Sequence, residues 1–297
     1  MWTKTILKPP FAYVGGKSIY LNQLLPLIPT HTTYVEPFGG SAALLFAKER
    51  SKVEVYNDIH PGLTTLFRVL QDPVKFYEFY RKAYLTTYSR EEFHNVRSNW
   101  EHCEDEVEKA YRFFVTMRFT FSGRTCGPSW GFSVFATSGK QEKMSQSCAR
   151  WISALNRLPD IHKRLEGVII EERDFREILI MYDSPETFFY CDPPYLIENA
   201  DKYYRFATSV ADHEDLIKIL LNLKGMAVVS GYVHPLYETL EEAGWQRLDF
   251  QTCAPAAGRT RVSKILGKGA AKQRVPRVES VWISPKTLER LPSLFPH

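Results

Sequence analysis

Short apolar runs recur along the chain, and most are unbroken rather than alternating. They lie at 34–36, 53–56, 168–172, 188–191, 227–231 and 278–284. Runs of this kind fit strands covered on both faces. Helical patterns lie between them. The segment 41–50 follows the first run after a glycine pair. The segment 211–223 sets Leu216, Ile217, Leu220 and Leu223 on one face, with Ser209 or Asp212 as N-cap. Strand and helix in alternation predict an α/β fold with a mostly parallel sheet.

The segment 67–159 breaks that rhythm. It shows no buried-strand signal before 132–135. It is aromatic early, at Phe76, Tyr77, Phe79, Tyr80 and Tyr84, and then reads as a helix over 104–120. That helix opens on Glu104, Asp105 and Glu106, which suits the positive end of a helix dipole. Its apolar face is Val107, Tyr111, Phe114, Val115 and Met117 or Phe119. We read 67–159 as an inserted, mainly helical domain. The α/β domain is then discontinuous, made of 1–66 and 160–297.

Length and composition agree with this picture. A chain of 297 residues can hold one large core and a smaller insert, and 44% apolar with 24% charged residues is an ordinary globular balance. Aromatics at 14% suit a core and also suit base stacking, so they decide nothing alone. The net charge of +4 is a weak pointer to nucleic acid, because such proteins need a basic face rather than a basic average. Local charge says more. Arg259, Arg261, Lys264, Lys268, Lys272, Arg274 and Arg277 follow one another with no acid between them, loosened by Gly258, Gly267 and Gly269. This reads as a solvated loop in the free protein that can order against phosphates. The five cysteines are widely spaced with no CxxC pair. This argues against a disulfide framework or a zinc site and for a reducing cytosol. No run approaches the roughly 18 apolar residues of a membrane helix, and the N-terminus does not open like a signal peptide.

Four segments carry chemistry. Tyr190-Cys191-Asp192-Pro193-Pro194-Tyr195 directly follows a strand run. Two prolines end the strand and hold the turn extended. Asp192 can present a carboxylate and Pro193 a carbonyl oxygen from one rigid turn, where ligands bind in open α/β sheets. An exocyclic amine bound there could donate one hydrogen to each oxygen, which returns electron density to its nitrogen. Tyr195 offers a face for a base to stack on. A surface turn is the plain alternative. Glu36-Pro37-Phe38-Gly39-Gly40-Ser41 follows a strand and opens a helix, as a nucleotide-type loop does, without the Lys-Ser/Thr of a triphosphate loop. Asn57-Asp58 ends the next strand. Asp58 there could grip a ribose diol or cap the helix that follows. Tyr13-Val14-Gly15-Gly16-Lys17 suggests a close approach to an anion or a capped helix start.

In order and spacing these segments resemble the Dam-like (D12 class, alpha group) DNA adenine-N6 methyltransferases. Their aromatic-x-Gly-Gly-Lys motif matches Tyr13 to Lys17, and their Glu-Pro-Phe-plus-glycine turn matches Glu36 to Gly40. Their acidic strand end matches Asn57-Asp58, and their acid-Phe pair matches Asp174-Phe175. Their Asp-Pro-Pro-Tyr motif matches Asp192 to Tyr195. Tyr203-Tyr204, Phe206, Thr208, Asp212-His213 and the strand at 228–232 continue the match. One departure is the glycine turn, which many members have as Phe-x-Gly-x-Gly; it puts the contacts to the methionine end of the cofactor in doubt.

The resemblance implies a Rossmann-like sheet with helices on both faces and S-adenosyl-L-methionine as cofactor. It implies double-stranded DNA as partner, with a flipped adenine as target and neither metal nor membrane involved. Cofactor contacts would come from Tyr13, Gly15, Gly16, Lys17, Glu36, Pro37, Phe38, Gly39, Gly40, Ser41, Asp58, Asp174, Phe175 and Asp192. Asp192, Pro193, Pro194 and Tyr195 would hold the target base. The insert would read sequence through a β-hairpin, with Arg118, Arg124 and Trp130 as candidates, and Arg259, Arg261 and Lys264 would meet phosphates. The cell would be prokaryotic or phage-infected, and the length leaves a restriction endonuclease, if any, to a separate chain. Cytosine-N4 or RNA methylation and a catalytically silent DNA-binding module are the alternatives. Asp192 with the motif order favours adenine over the first, and the intact Asp192 and Tyr195 disfavour the second.

Overall fold

The computed structural model describes residues 6–13, 15–98, 100–120, 130–131, 144–196, 205–254 and 275–291, with backbone only at 252–254 and 275–277. Seven strands form one sheet: β1 (Thr33–Glu36), β2 (Val53–Asn57), β3 (Val168–Glu171), β4 (Thr187–Cys191), β5 (Met226–Gly231), β6 (Gln246–Ala254) and β7 (Val275–Ile283). Their order is β3-β2-β1-β4-β5-β7-β6. The first five are parallel, and β7 runs antiparallel to both β5 and β6. The fold is the expected α/β sheet.

Strand side chains alternate between two cores, as the pleat requires. Tyr34, Tyr56, Phe188, Tyr190, Met226, Val228, Val281 and Ile283 enter one core. Their neighbours Val35, Val55, Phe189, Cys191, Ala227, Val229 and Trp282 enter the other. Both faces are apolar, which is why the runs read as continuous. The strand β6 differs. It is an edge strand with Arg247, Asp249 and Gln251 alternating with Leu248 and Phe250, so it left no apolar run.

The helices are α1 (Leu21–Leu24), α2 (Ala43–Ala47), α3 (Pro61–Gln71), α4 (Pro73–Tyr84), α5 (Arg90–Val96), α6 (Glu106–Phe119), α7 (Gln146–Leu165), α8 (Phe175–Met181), α9 (Val210–Asn222), α10 (Glu238–Glu242) and α11 (Pro285–Arg290). Asp105 caps α6 through Glu108 N, and its expected apolar face is buried, with both Met117 and Phe119 inside. Ser209 caps α9 in a reciprocal capping box with Asp212.

The helices of the insert share one core with the β1-β2 face of the sheet. The helices α3 and α7 run unbroken through positions 66 and 159, where the sequence placed the domain boundaries. A buried ion cluster fastens α7 to β2. Arg164 Nη1 and Nη2 donate to the two oxygens of Glu54 at 2.6 and 2.8 Å, and Nη2 also donates to the Leu45 carbonyl at 2.7 Å. Lys48 donates to Glu54 and lies over the Tyr34 ring. Burial alone would raise the Glu54 carboxyl, but the Arg164 and Lys48 bonds outweigh it and hold it below its ordinary value.

Candidate active site

The carboxyl ends of β1, β2 and β4 open onto a cavity of about 250 Å³. It lies where the strand order reverses, between β1 and β4, the place where loops diverge and leave a crevice. Each of the fourteen residues expected at the cofactor lines it, as do Pro193 and Pro194. Glu36, Asp58, Asp174, Asp192 and Asp212 give it an acidic lining against Lys17, Arg173 and Arg205. That donor set fits a cationic, hydroxyl-bearing ligand such as S-adenosyl-L-methionine.

The glycine turn is shaped by its tyrosines. A Cβ on Gly39 would stand 2.1 Å from the Tyr56 ring. The Tyr56 hydroxyl in turn donates to the Gly40 carbonyl at 2.8 Å. Gly40 and Ala42 are left-handed, with φ of 52° and 57°. The turn is tight because Tyr56 fills the space beneath it, a packing reason the sequence reading did not include. Asp58 holds the same turn, accepting from Gly40 N at 2.9 Å and His60 N at 2.8 Å. Burial pushes its carboxyl up to about 6. The helix-cap role weighed for Asp58 falls instead to His60, whose Nδ1 accepts from Gly62 N at 3.1 Å.

Glu36 ends β1 and is 2% exposed. Its Oε1 accepts from the Tyr34 hydroxyl at 2.7 Å and from Leu45 N at 2.8 Å. Burial nonetheless pushes it up to about 7. On the opposite wall, Asp174 caps α8 through Arg176 N at 2.8 Å, and the Phe175 ring lies 5.0 Å from Phe38. Arg176 ties Asp174 to Asp212 and Asp215 at 3.1, 2.6 and 2.9 Å.

Asp192 follows β4 directly. Lys17, reached through a tight turn in which Gly15 has φ of 73°, is 4% exposed. Its Nζ lies 2.7 Å from Asp192 Oδ1 and donates to the Gly15 carbonyl at 2.8 Å. The Tyr195 hydroxyl lies 3.1 Å from the same Oδ1 and also meets Glu279 Oε1, so its one hydrogen is shared between the two carboxylates. Both contacts fall on Oδ1, which leaves Oδ2 to accept from a substrate. Burial raises the Asp192 carboxyl, and Lys17 only partly offsets this. Among the described residues no donor is bonded to the Pro193 carbonyl either. The next carbonyl, of Pro194, is held firmly. Thr208 Oγ1 donates to it at 2.7 Å and His213 Nε2 lies 3.0 Å away. A carbonyl partner puts the proton on Nε2, so Nδ1 accepts from the Tyr237 hydroxyl at 2.8 Å. Burial lowers the His213 pKa, which keeps this ring neutral.

Tyr195 differs from expectation. Its ring is 5% exposed, packs edge-on against Tyr232 at 4.7 Å, and lies under Lys17 Nζ. It does not line the cavity, and what it presents toward Asp192 is its hydroxyl.

The expected DNA-reading residues are only partly visible. Thr120 and Trp130 pair antiparallel, and Gly131 N donates to the Phe119 carbonyl at 2.7 Å, so the two ends of the expected hairpin meet. The Trp130 ring packs near Tyr88, Phe93 and Phe119, the bland alternative to a DNA wedge. Arg118 turns inward, with Nη2 donating to the Arg150 carbonyl at 2.5 Å. Arg124, Arg259, Arg261 and Lys264 lie outside the described residues.

Glu279, Thr208 and His213 were not among the sequence candidates for the site. Glu279 had a signal: it is the lone charge in the run 278–284, and a charge in such a run needs a partner when buried.

The sheet order, the crevice and the carboxylate-bearing turn define an α/β protein with a methyltransferase-type site. The chain belongs to the D12 class N6 adenine-specific DNA methyltransferases, whose family model matches residues 13–243. It is 26% identical over 209 residues to the type II methyltransferase M.MjaIII of Methanocaldococcus jannaschii, covering 64% of this chain and 69% of that one. It is similar to the modification methylase StsI of Streptococcus sanguinis, at 38% over 76 residues, 25% of this chain and 12% of the relative. It is also similar to the modification methylase LlaI of Lactococcus lactis, at 26% over 207 residues, 65% and 30%. The chain thus spans only a small part of the StsI and LlaI proteins.

Proposed function

We propose that the protein transfers a methyl group from S-adenosyl-L-methionine to the N6 amine of an adenine flipped out of double-stranded DNA, at a specific site. The observation that carries this reading is the turn after β4, where Asp192 and Pro193 line the cavity and, among the described residues, no donor is bonded to Asp192 Oδ2 or to the Pro193 carbonyl. An amine that donates one hydrogen to each regains lone-pair density on nitrogen and becomes a nucleophile.

When bound, the cofactor supplies an electrophilic methyl on a sulfonium. The chain's own residues do the rest. Glu36 and Asp58, on adjacent strand ends, suit the cofactor's cationic and hydroxyl groups. Lys17 and Tyr195 hold one oxygen of Asp192 so that the other has a fixed direction. His213 and Thr208 clamp the Pro194 carbonyl and so fix the prolyl turn. Catalysis is then positioning plus electrostatics.

The test is incubation with methyl-labelled cofactor and mixed-sequence duplex DNA, followed by digestion to nucleosides. Label in N6-methyldeoxyadenosine is expected. Label in cytosine would move the substrate, and no label in DNA would overturn the reading.

A further inference from the structure

The catalytic turn is held by a residue from the far side of the sheet. Glu279 stands on β7, two strands from β4, and is 5% exposed. Its Oε1 lies 3.3 Å from Lys17 Nζ and accepts a hydrogen bond from the Tyr195 hydroxyl. Lys17 thus donates to Gly15 O and forms ion pairs with both Asp192 Oδ1 and Glu279 Oε1. A half-buried carboxylate, Asp192, and a buried one, Glu279, share one ammonium and one phenol.

We propose that Glu279 is a positioning residue for methyl transfer, which divides the Lys17 charge and anchors the Tyr195 hydroxyl so that Asp192 is aimed but not neutralised. This rests on the proposed transferase reading. A lone Lys17–Asp192 pair would place the full ammonium on Asp192 and weaken it as an acceptor. With Glu279 present the cluster keeps a net negative charge beside the place where the substrate amine becomes cationic. Tyr195 has one hydroxyl hydrogen, and Glu279 is its nearer partner, so the hydroxyl is anchored from β7 while its oxygen stays 3.1 Å from Asp192 Oδ1. Glu279 also adds to the upward push on the Asp192 carboxyl. Other ionisable groups around the cluster, among the described residues, include Tyr190, Glu36, Cys191 and Tyr237, all buried, and Tyr232, whose ring packs on Tyr195.

The test compares wild type, Glu279→Gln and Glu279→Asp in labelled methyl transfer, cofactor binding by calorimetry and thermal unfolding. The Gln variant keeps the size and can still accept from Tyr195. Its kcat is expected to fall roughly 10- to 100-fold, as for loss of one positioning contact. Its KM for DNA and its cofactor affinity should stay within about threefold. The acid limb of its kcat–pH profile should move to lower pH, because Asp192 loses a like charge. The Asp variant keeps the charge on a shorter arm, so its kcat falls while its acid limb stays nearer wild type. It carries the test should the Gln variant fail to fold. A folded Gln variant with wild-type kcat and pH profile would overturn the inference, as would loss of cofactor binding and stability in step with kcat. If the wild type transfers no label, the transferase reading itself has failed, which is a separate outcome.

Discussion

Lys17 Nζ lies 2.7 Å from Asp192 Oδ1, joining the N-terminal glycine turn to the prolyl turn after β4. Lys17 is buried and the Asp192 side chain is 19% exposed, so each depends in part on the other for its charge. Lys17→Met removes the cation while keeping the stem. Burial then raises the Asp192 carboxyl further, and the acid limb of the rate profile should move to higher pH. A loss of about 10²-fold in kcat/KM at neutral pH is expected, partly recovered at higher pH. A variant with an unshifted profile would show that Lys17 does not govern Asp192.

His213 acts on the same turn from the other side. His213→Ala leaves the Tyr237 hydroxyl without its buried acceptor and leaves the Pro194 carbonyl with Thr208 alone. The expected cost is about 1–3 kcal/mol in urea unfolding, together with a lower kcat. His213→Gln should recover part of both. Full activity in the Ala variant would show that the clamp is dispensable.

The Glu54–Arg164 pair holds α7 to the sheet. Glu54→Gln strands a buried guanidinium and should lower stability by about 3–5 kcal/mol, read from denaturant midpoints. The Glu54 carboxyl sits below its ordinary value of 4.5, so its contribution is complete above that pH. It is lost as the pH falls through the depressed value. Wild type should therefore lose stability on acidification below 4.5 more steeply than the Gln variant. Parallel curves would contradict the pairing.

Cofactor affinity should depend on pH through Glu36 and Asp58. Burial raises them to about 7 and about 6, so both are largely protonated in mildly acidic solution. A cationic ligand favours the ionised forms. Binding should tighten as pH rises through this range, with proton release seen by calorimetry in buffers of different ionisation enthalpy. Glu36→Gln should flatten the upper part of that dependence. An affinity independent of pH from 5 to 8 would contradict it.

Much of this was legible in the sequence, and for identifiable reasons. The strands β1, β4 and β5 are buried on both faces and left apolar runs, whereas Glu54 and Glu279 interrupt those of β2 and β7, and β3, at the edge opposite β6, leaves Ile169 exposed. The edge strand β6 mixes Arg247, Asp249 and Gln251 with Leu248 and Phe250 and left none. Most cofactor candidates lie at or just after strand ends, where sequence adjacency becomes spatial adjacency; Tyr13 to Lys17 come instead from the N-terminal segment, and all of them line the cavity. Glu279 reaches the site only because β7 inserts antiparallel between β5 and β6, a non-local pairing that no local pattern encodes. Tyr195 illustrates the reverse case. The motif suggested a stacking face; in the structure the ring packs edge-on against Tyr232 and lies under Lys17 Nζ, with its hydroxyl toward Asp192 and Glu279.

The most direct measurement is the single-turnover rate of methyl transfer to an adenine-containing duplex by Asp192→Asn, with cofactor affinity measured alongside. Asparagine keeps the shape and replaces one acceptor oxygen with a donor. The rate should fall on the order of 10²–10³-fold or more, with cofactor affinity changed far less. Transfer at a wild-type rate would contradict the assignment of Asp192 as the group that activates the amine.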